Sequence, residues 1–578
     1  MTFLQGNHDD NNVTEARHLA RLVDLGIALS AEHGRDELNQ KILMAARQFT
    51  NADGGSLYLV NADETELNFR ILVNDTLKTS VVAGDQGEYP FPPLSLYLPE
   101  TGEPNHNNIA TYVALTGQAI NIEDAYSAEG FDFSGTKRFD QATGYRSKSF
   151  LTVPLKNNRG DCIGVLQLIN ARDSEGNVIA FDRRIEPMIT ALASQAAVAI
   201  ENRRLLRSQR DLMDSFVRVL AQAIDAKSPH TGTHCARVPV IARMLAQAAV
   251  DQKDGVFADY DLTEDQWREL DLAAWLHDCG KITTPEHVVE KSTKLETIHD
   301  RIHEIRTRFE VLRRDAEIAM LKRQLAGEDA DMCQADFDVR VAELEAQFDL
   351  VARCNLGGED MDVGTIARLN DIGRTQWMRH FDRTLGLSWG ERHRLADDAL
   401  ETLRHPGPET LLQDRDDHIC DPLNNGELYN LSIPRGTLTA EERQMINDHV
   451  VRTQDMLAQL PFPKQLKGIP DIAGNHHEKM DGSGYPRGLS GDDMGVLEKV
   501  MVIADIFEAL SAVDRPYKTP KPLGDCIAML AAMRDVNQID SDLFDLFLTS
   551  GVYHTYAQKY LKPEQIDVVD IAQFVRRP

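Results

Sequence analysis

The first third of the chain alternates between helical and strand-like hydrophobic patterns. Apolar side chains recur at helical spacing over residues 13–47, which predicts an amphipathic helix. Asn157-Asn158-Arg159-Gly160 is a hairpin turn signal between two apolar segments. Five apolar segments of strand length are predicted strands: 56–60, 69–73, 118–122, 149–155 and 162–170. This order predicts an α+β domain, an antiparallel sheet with helices, over residues 13–184.

A long helix is predicted next, because apolar residues return to helical spacing at Ile185 and keep it to about Ala226. One seven-residue register holds Ile185, Leu192, Ala199, Leu206, Met213 and Leu220. A second holds Ile189, Ala196, Arg203, Arg210, Val217 and Ile224. The first register is apolar throughout, and the second is apolar at its ends and basic in its middle. This pattern favours a dimerising linker helix over residues 185–228. A helix that packs only on its own two domains is the alternative.

The remaining sequence, residues 229–578, reads as mostly helical and predicts an all-α domain. A long polar stretch interrupts it, and we assign about 295–432 to a helical insertion. Two periodic helices predict a helical hairpin within the insertion. The first is marked by Ile298, Ile302, Ile305, Phe309 and Leu312, and the second by Val341, Leu344, Phe348 and Val351.

Composition narrows the class of protein. The chain has 578 residues, of which 42% are hydrophobic and 26% charged, as expected for several globular domains. No apolar run reaches membrane-spanning length, the first residues lack a signal-peptide pattern, and the seven scattered cysteines form no CxxC pair. We therefore expect a cytoplasmic protein without membrane insertion. The formal charge of −29 disfavours binding to a nucleic acid polymer.

Residues that commonly bind metals are concentrated in five separated segments of the helical domain. These are His230 with His234, His277 with Asp278, His449, His476 with His477, and Asp505. Asp505 lies in the apolar segment VMVIADIFEAL, where a carboxylate without a partner would cost several kcal/mol. Imidazoles and carboxylates without thiolates suit iron, manganese or zinc. This number of ligands exceeds the need of one ion and predicts a cluster of two or three, which suits phosphodiester hydrolysis.

These segments carry a family pattern. It consists of His277-Asp278-x-x-Lys281, His476-His477-Glu478-x-x-Asp481-Gly-Ser-Gly484-Tyr485-Pro486, Asp505-Ile-Phe-Glu-Ala-Leu and Asp514-Arg515-Pro516-Tyr517-Lys518. Over about 200 residues it closely resembles the HD-GYP subgroup of HD-domain phosphohydrolases. The resemblance implies hydrolysis of cyclic di-GMP to pGpG or GMP by a metal-activated hydroxide, at two or three iron or manganese ions.

The resemblance also implies residue roles. The implied metal ligands are His234, His277, Asp278, His449, His476, His477 and Asp505. Trinuclear members carry a carboxylate where this chain has His230, so we expect two ions, with His230 as a candidate ligand of a third. Lys281 would stabilise phosphoryl charge or orient the nucleophile, and Tyr485 would contact the substrate. Arg515 and Lys518 would bind its phosphates, with surface salt bridges as the alternative role.

Two further functions remain open. The substrate could instead be the mixed cyclic dinucleotide 3',3'-cGAMP, or the domain could be a catalytically silent scaffold that binds a cyclic dinucleotide. The insertion could cover the cleft, bind a partner or extend the dimer. A second His-Asp pair, His299-Asp300, with His303 one turn later, lies in an ordinary amphipathic pattern, and we do not expect a metal there.

The N-terminal domain carries three segments of a second family pattern. They are Lys137-Arg-Phe139-Asp140-x-x-x-Gly144-Tyr145-x-x-x-Ser149, Val153-Pro154-Leu155 and the segment from Gly164 to Asn170. In these segments the domain resembles GAF sensor domains that bind cyclic nucleotides. Asn170, Phe181 and Glu186 of a further family pattern are present, but Ala171 and Ile185 replace its lysine and aspartate. Two apolar groups can preserve the packing of an ion pair. The ligand of this domain, a cyclic nucleotide or another small molecule, stays open, as does a purely dimerising role.

Overall fold

The computed structural model describes residues 35–83, 91–226, 234–358, 360–394, 397–415, 426–512 and 520–576. The chain divides into two compact units, Met1–Leu212 and Met213–Pro578, called here the N-terminal and C-terminal units. Among the described helices, none combines the length and apolar character that a membrane span requires.

The N-terminal unit is built on one antiparallel sheet. Its elements in chain order are α1 (Arg35–Thr50), β1 (Ala52–Val60), β2 (Glu66–Asn74), β3 (Thr79–Val82), β4 (Leu94–Ser95), α2 (Ile109–Thr116), β5 (Ile120–Ile122), α3 (Ser134–Thr143), β6 (Phe150–Lys156), β7 (Cys162–Arg172), β8 (Val178–Ile179) and the start of α4 (Glu186–Asp225). The strand order is β3-β2-β1-β7-β6-β5, with β4 paired to β2 and β8 to β7. Every predicted strand is present, and the predicted turn joins β6 to β7, so the α+β prediction is confirmed.

Helices cover both faces of this sheet. Along β6 and β7, Leu151 and Leu166 point into a core shared with α1 and α4. Phe150 and Val165, one position away, point into a second core shared with α2. Alternation between faces is the period of two that a strand imposes on its side chains. The unit therefore consists of a sheet between two helical layers, with an apolar core on each side.

Several residues of the GAF resemblance tie the strands and loops together. Tyr145 donates a hydrogen bond from its hydroxyl to Asp53 Oδ2 at 2.5 Å, and Asn170 Nδ2 donates to the Tyr145 hydroxyl at 2.8 Å. Asp140 is buried and accepts bonds from the backbone N–H and the hydroxyl of Ser147, each at 2.8 Å. These residues therefore have a structural role in shaping the unit.

The two apolar replacements in the GAF pattern lie in the core. Ala171 is 4% exposed and belongs to the core between the sheet, α1 and α4. Phe181, which the family pattern also contains, is equally buried in this core. Ile185 is partly buried and packs against the same core. The packing is thus maintained without the ion pair, as the sequence predicts.

The C-terminal unit is mostly helical, as predicted. After the end of α4, its elements in chain order are α5 (His234–Asp251), α6 (Glu264–Leu276), α7 (Glu286–Val289), α8 (Ile302–Leu325), α9 (Ala330–Asn355), α10 (Val363–Gly373), β9 (Gln376–Arg379), α11 (Trp389–Arg394), α12 (Asp397–Arg404), β10 (Gly407–Thr410), α13 (Glu427–Leu431), α14 (Ala440–Ala458), α15 (Ile469–Gly474), α16 (Val496–Ser511), α17 (Leu523–Asp535), α18 (Ser541–Thr549) and α19 (Val552–Tyr560). One apolar core joins α5, α6 and α16 to α19. A short 3-10 turn, Cys279–Thr283, follows α6.

The insertion has its own core. Helices α8 and α9 form the predicted hairpin, with Ile305, Phe309, Leu344 and Val351 buried. Ile298 differs from the prediction, because it precedes α8 and is 94% exposed. The antiparallel pair of β9 and β10 was not predicted either, since neither segment shows alternating hydrophobicity.

The two ends of the insertion meet at its base. Lys294 is buried, and its Nζ donates to the carbonyl oxygens of Leu431 at 3.1 Å and Ile433 at 2.7 Å. Close by, the backbone N–H of Met361 donates to the Pro434 carbonyl at 3.0 Å. The entering and leaving segments are therefore joined by direct hydrogen bonds.

Along the long helix α4, the residues of the two predicted registers differ in burial. In the second register, Ile189 and Ala196 are buried in the N-terminal unit, whereas Val217 and Ile224 are buried in the core of the C-terminal unit. The first register is exposed in its later half. The large exposed apolar residues of α4 are Val198, Leu205, Leu206, Leu212, Met213, Phe216, Val219 and Leu220.

We predict that Gly164→Ala destabilises the sheet by about 1–3 kcal/mol, as expected for overpacking. Gly164 pairs with Leu59 on β1, and a Cβ there would lie 2.4 Å from the Tyr58 carbonyl oxygen. Denaturant unfolding measures the change. The control is Gly135→Ala in α3, where a Cβ meets nothing within 4 Å. It should cost nothing, and an equal loss in both variants would contradict the steric explanation.

Candidate metal centre

The seven predicted metal ligands come from five elements of the C-terminal unit. His234 is the first residue of α5, His277 follows the last residue of α6, and Asp278 precedes the 3-10 turn. His449 lies in α14 and Asp505 in α16, while His476 and His477 follow α15. All are buried except His477, whose side chain is 29% exposed. The structure thus brings all seven into one site.

The first group consists of His234, His277 and Asp278, whose ligand atoms all lie within 4.8 Å of one another. Asp278 Oδ2 is 3.3 Å from His234 Nε2 and 3.4 Å from His277 Nε2. Asp505 Oδ1 is 3.2 Å from the same His234 atom and 3.7 Å from the same His277 atom. Two imidazole nitrogens and two carboxylate oxygens therefore surround one position.

The second group consists of His449, His476 and His477, again with ligand atoms within 4.8 Å of one another. The other oxygen of Asp278, Oδ1, is 3.2 Å from His449 Nε2. The other oxygen of Asp505, Oδ2, is 4.0 Å from His477 Nδ1. Each aspartate therefore directs one oxygen to each group, an arrangement that two neighbouring cations can share.

Backbone carbonyls fix the orientation of three of the imidazoles. The Nδ1–H of His277 donates to the Ala274 carbonyl at 2.8 Å, and that of His476 to the Ala473 carbonyl at 2.6 Å. His449 makes the same bond to the carbonyl three residues before it. Because Nδ1 donates to a carbonyl in each ring, Nε2 is the nitrogen directed at the site and the one that can bind a metal ion, as in metal-binding histidines.

The lone pairs of the second group fit a metal ion. Within the described part of the chain, the buried Nε2 atoms of His449 and His476 have no hydrogen-bond partner. His449 Nε2 faces a carboxylate oxygen, so two acceptors meet and need a cation between them. Nitrogen and oxygen donors without thiolates are the ligands that divalent iron, manganese and zinc accept.

The protonation equilibria of the two groups differ. Burial alone would lower the pKa of His234, but its hydrogen bonds to Asp278, Asp505 and Glu508 hold it well above the usual value. Burial is likewise outweighed at His277, where the two aspartates raise the pKa to about 9. Burial lowers the pKa of His477 to about 4, and it also holds the pKa of His476 well below its usual value. The histidines of the first group therefore favour the charged form, whereas His476 and His477 favour the neutral imidazole.

Glu508 orients His234 from outside the ligand set. Its Oε2 accepts the Nδ1–H of His234, and its Oε1 accepts a bond from Arg237 Nε at 2.7 Å. Glu508 lies one helical turn after Asp505 and is buried. The sequence analysis assigned it no role, although a second carboxylate one turn along an apolar helix is a detectable signal. Carboxylates of this kind fix the tautomer of a metal-binding histidine.

Two of the predicted substrate-contacting residues border the site. Lys281 Nζ is 2.6 Å from Asp278 Oδ2, and its side chain is 30% exposed. The Tyr485 ring is half-buried and centred 4.9 Å from the His477 ring. Glu478 holds the Tyr485 loop by accepting backbone bonds from Arg487 at 2.7 Å and Leu489 at 2.9 Å.

The remaining residues considered as possible ligands or substrate contacts fall into two sets. His230, Arg515 and Lys518 lie outside the described residues. His299 is exposed, with its Nε2 3.1 Å from Glu304 Oε1, and His303 accepts a bond from Arg306 at 2.8 Å. These surface contacts agree with the ordinary amphipathic pattern of that segment.

Family models match both units. The GAF domain model matches residues 34–200, and the HD domain model matches residues 424–543. The chain therefore contains a GAF domain in its N-terminal unit and an HD domain in its C-terminal unit, as the sequence predicts. The HD match includes His449, His476, His477 and Asp505, whereas the other ligands precede the insertion.

Curated relatives match shorter stretches. The chain is 40% identical over 96 residues to "3'3'-cGAMP-specific phosphodiesterase 3" of Vibrio cholerae, covering 16% of this chain and 20% of that protein. It is 34% identical over 116 residues to phosphodiesterase 1 of the same series and organism, covering 20% and 26%. It is 35% identical over 109 residues to "Cyclic di-GMP phosphodiesterase" of Thermotoga maritima, covering 19% and 27%. The chain thus matches about a quarter of these relatives or less.

We predict that Glu508→Gln weakens metal binding at the first group by about 10-fold to 100-fold, because the amide keeps only one acceptor oxygen, for which His234 and Arg237 then compete. Titration of metal-free protein with Mn²⁺ measures this loss. The control is Asp271→Asn, which removes a surface partner of Arg243 and should leave the affinity unchanged. Equal affinity in the wild type and Glu508→Gln would exclude an orienting role.

Proposed function

We propose that the C-terminal unit is a metal-dependent phosphodiesterase that hydrolyses a cyclic dinucleotide, with cyclic di-GMP as the first candidate and pGpG or GMP as product. One observation carries the proposal: Asp278 and Asp505 each direct one oxygen at each of two histidine groups. Two adjacent divalent cations are a recurrent device for phosphodiester cleavage.

The residues divide into two ion-holding sets. The first ion would be held by His234, His277, Asp278 and Asp505, and the second by His449, His476 and His477 with the remaining oxygens of the two aspartates. Iron or manganese is the proposed metal, because imidazole and carboxylate donors accept both and the family pattern implies one of them. Such a pair of ions supplies Lewis acidity toward phosphoryl oxygens and lowers the pKa of water.

Side chains of the protein would position the substrate. Lys281 is partly exposed beside Asp278, and its ammonium group would attract a phosphoryl oxygen and stabilise developing negative charge. Tyr485 would contact the nucleotide beside His477. We further propose that Arg515 and Lys518 bind phosphate, since the strongly acidic chain needs local cations to attract an anionic substrate.

A second substrate, 3'3'-cGAMP, is supported by the names of two of the relatives, which are called cGAMP-specific. The metal-ligand geometry concerns a phosphodiester group that both dinucleotides share, so it does not select between their bases. A catalytically silent scaffold is less well supported, because every ligand implied by the family pattern is present and converges.

We predict that metal-loaded wild-type protein converts cyclic di-GMP to pGpG or GMP, and that Asp278→Ala lowers the rate by at least about 100-fold with the fold retained. Asp278 faces both ligand groups, so its loss affects both ions. Product chromatography with cyclic di-GMP and 3'3'-cGAMP in parallel measures the activity and ranks the two substrates.

The matched control for Asp278→Ala is His299→Ala. This histidine is exposed, and its ring contacts Glu304 on the surface. The control variant should retain the wild-type rate. If protein with confirmed bound metal cleaves neither dinucleotide, the scaffold function replaces the enzyme.

We also propose that the GAF domain regulates the enzyme by binding a small molecule.

We propose in addition that the chain forms a homodimer through α4. Exposed apolar residues at seven-residue spacing, Val198, Leu205, Leu212 and Val219, fit one line of a two-stranded coiled coil. This line lies one position before the first predicted register.

We predict that Leu205→Glu combined with Leu212→Glu converts a dimer to a monomer, because paired charges would replace exposed leucines at the seam. Light scattering at micromolar concentration gives the mass. Val339→Glu, at an exposed valine of α9, is the control and should remain dimeric. A monomeric wild type would refute the dimer.

A further inference from the structure

The base of the insertion contacts the first turn of α14, the helix that carries His449. Lys291 follows α7, and its side chain is fully buried. Its Nζ lies 2.9 and 2.8 Å from the two carboxylate oxygens of Glu442 and 3.0 Å from Asn430 Oδ1. Asn430 belongs to α13, the last helix of the insertion. One buried ammonium group thus joins the insertion to α14.

Glu442 determines where α14 begins. Its Oε2 accepts the Thr439 backbone N–H at 2.9 Å, while its own N–H donates to the Thr439 hydroxyl oxygen at 3.1 Å. This capping box fixes the start of the helix. Because an α-helix rises about 1.5 Å per residue with little compliance, the position of its first turn fixes that of His449, seven residues on.

The middle of α14 has little freedom to compensate. The Gly280 N–H donates to Thr453 Oγ1 at 2.9 Å, and a Cβ on Gly280 would lie 1.9 Å from the His449 carbonyl oxygen. The helix is therefore in close contact with the turn that follows Asp278. A small shift of α14 would change the 3.2 Å separation of His449 Nε2 and Asp278 Oδ1.

Contacts from the insertion to α14 extend beyond Lys291. Arg415 Nη1 lies 2.6 Å from Glu441 Oε1, and the Tyr429 hydroxyl donates to Glu441 Oε2 at 3.1 Å. Glu441 and Glu442 are successive residues of the first turn. The insertion therefore meets both carboxylates that begin the His449 helix, one exposed and one buried.

We propose that Lys291 is a positioning residue for the second ion of the metal centre, acting through Glu442 and α14 on His449. This inference rests on the two-ion centre proposed above. Glu442 is 4% exposed and needs a cation nearby. Lys291 meets that need while placing the helix, and Asn430 makes the placement depend on the insertion.

The test compares Lys291→Met with the double variant Lys291→Met, Glu442→Gln in the full chain. The single change leaves a buried carboxylate unpaired and should lower the unfolding temperature. The double change removes both charges, and glutamine still completes a capping box, so the unfolding temperature should recover. If Lys291 only stabilised the fold, the double variant would regain wild-type metal binding together with the wild-type unfolding temperature.

Mn²⁺ is titrated calorimetrically into metal-free protein. We expect two ions in the wild type. In the double variant α14 keeps its cap but loses its link through Lys291 to Asn430, so the second ion should bind about 10-fold to 100-fold more weakly and the first should be unchanged. The control is Lys294→Met, at a buried lysine that contacts the carbonyls of Leu431 and Ile433. It should bind both ions as the wild type does.

Two outcomes would overturn the proposal. The double variant could bind both ions with wild-type affinity, or Lys294→Met could weaken the second ion equally. In either case the wild type still binds two ions, so the metal centre stands while the role of Lys291 falls. A wild type that binds fewer than two ions would refute the two-ion centre itself, and the positioning role with it.

Discussion

Two buried carboxylates, Asp278 and Asp505, constrain the C-terminal unit. They are 2% and 6% exposed, and negative charge so far from water is tolerated only beside compensating groups. No single helix can place enough donors around two such groups. Five separated segments therefore converge on them. Burial alone would raise the pKa of each aspartate, but the neighbouring histidines, together with Lys281 at Asp278, outweigh it and hold both pKa values well below the usual range.

Buried carboxylates around the candidate ligands also have compensating partners. Glu508, behind His234, is matched by Arg237, and Glu442, at the start of the His449 helix, is matched by Lys291. Glu478 is matched by backbone N–H groups of the Tyr485 loop. Each buried acid has its own donors, so the shape of the centre depends on residues that never reach a metal. Such residues fix the tautomer and orientation of metal-binding side chains.

The sequence predicts most of the fold, since apolar runs mark the strands and helical spacing marks the long helices. The ligand set is also predictable, because His277-Asp278 and His476-His477 belong to a specific pattern. Other features depend on tertiary contacts. Lys291 and Glu442 are 151 residues apart, β9 and β10 lack alternation, and Ile189 and Val217 share a register but join different cores.

The hydrogen bonds at the base of the insertion have an evolutionary consequence. Lys294 binds the carbonyls of Leu431 and Ile433, so the chain leaves and returns at nearly one point. Doubling the length of a flexible loop between fixed ends costs only about 0.6 kcal/mol. The part of the insertion between Lys294 and Arg415 can therefore change in length, while Arg415, Tyr429 and Asn430 keep their contacts with α14 and Lys291. Lineages could thus diversify this region under weak thermodynamic selection.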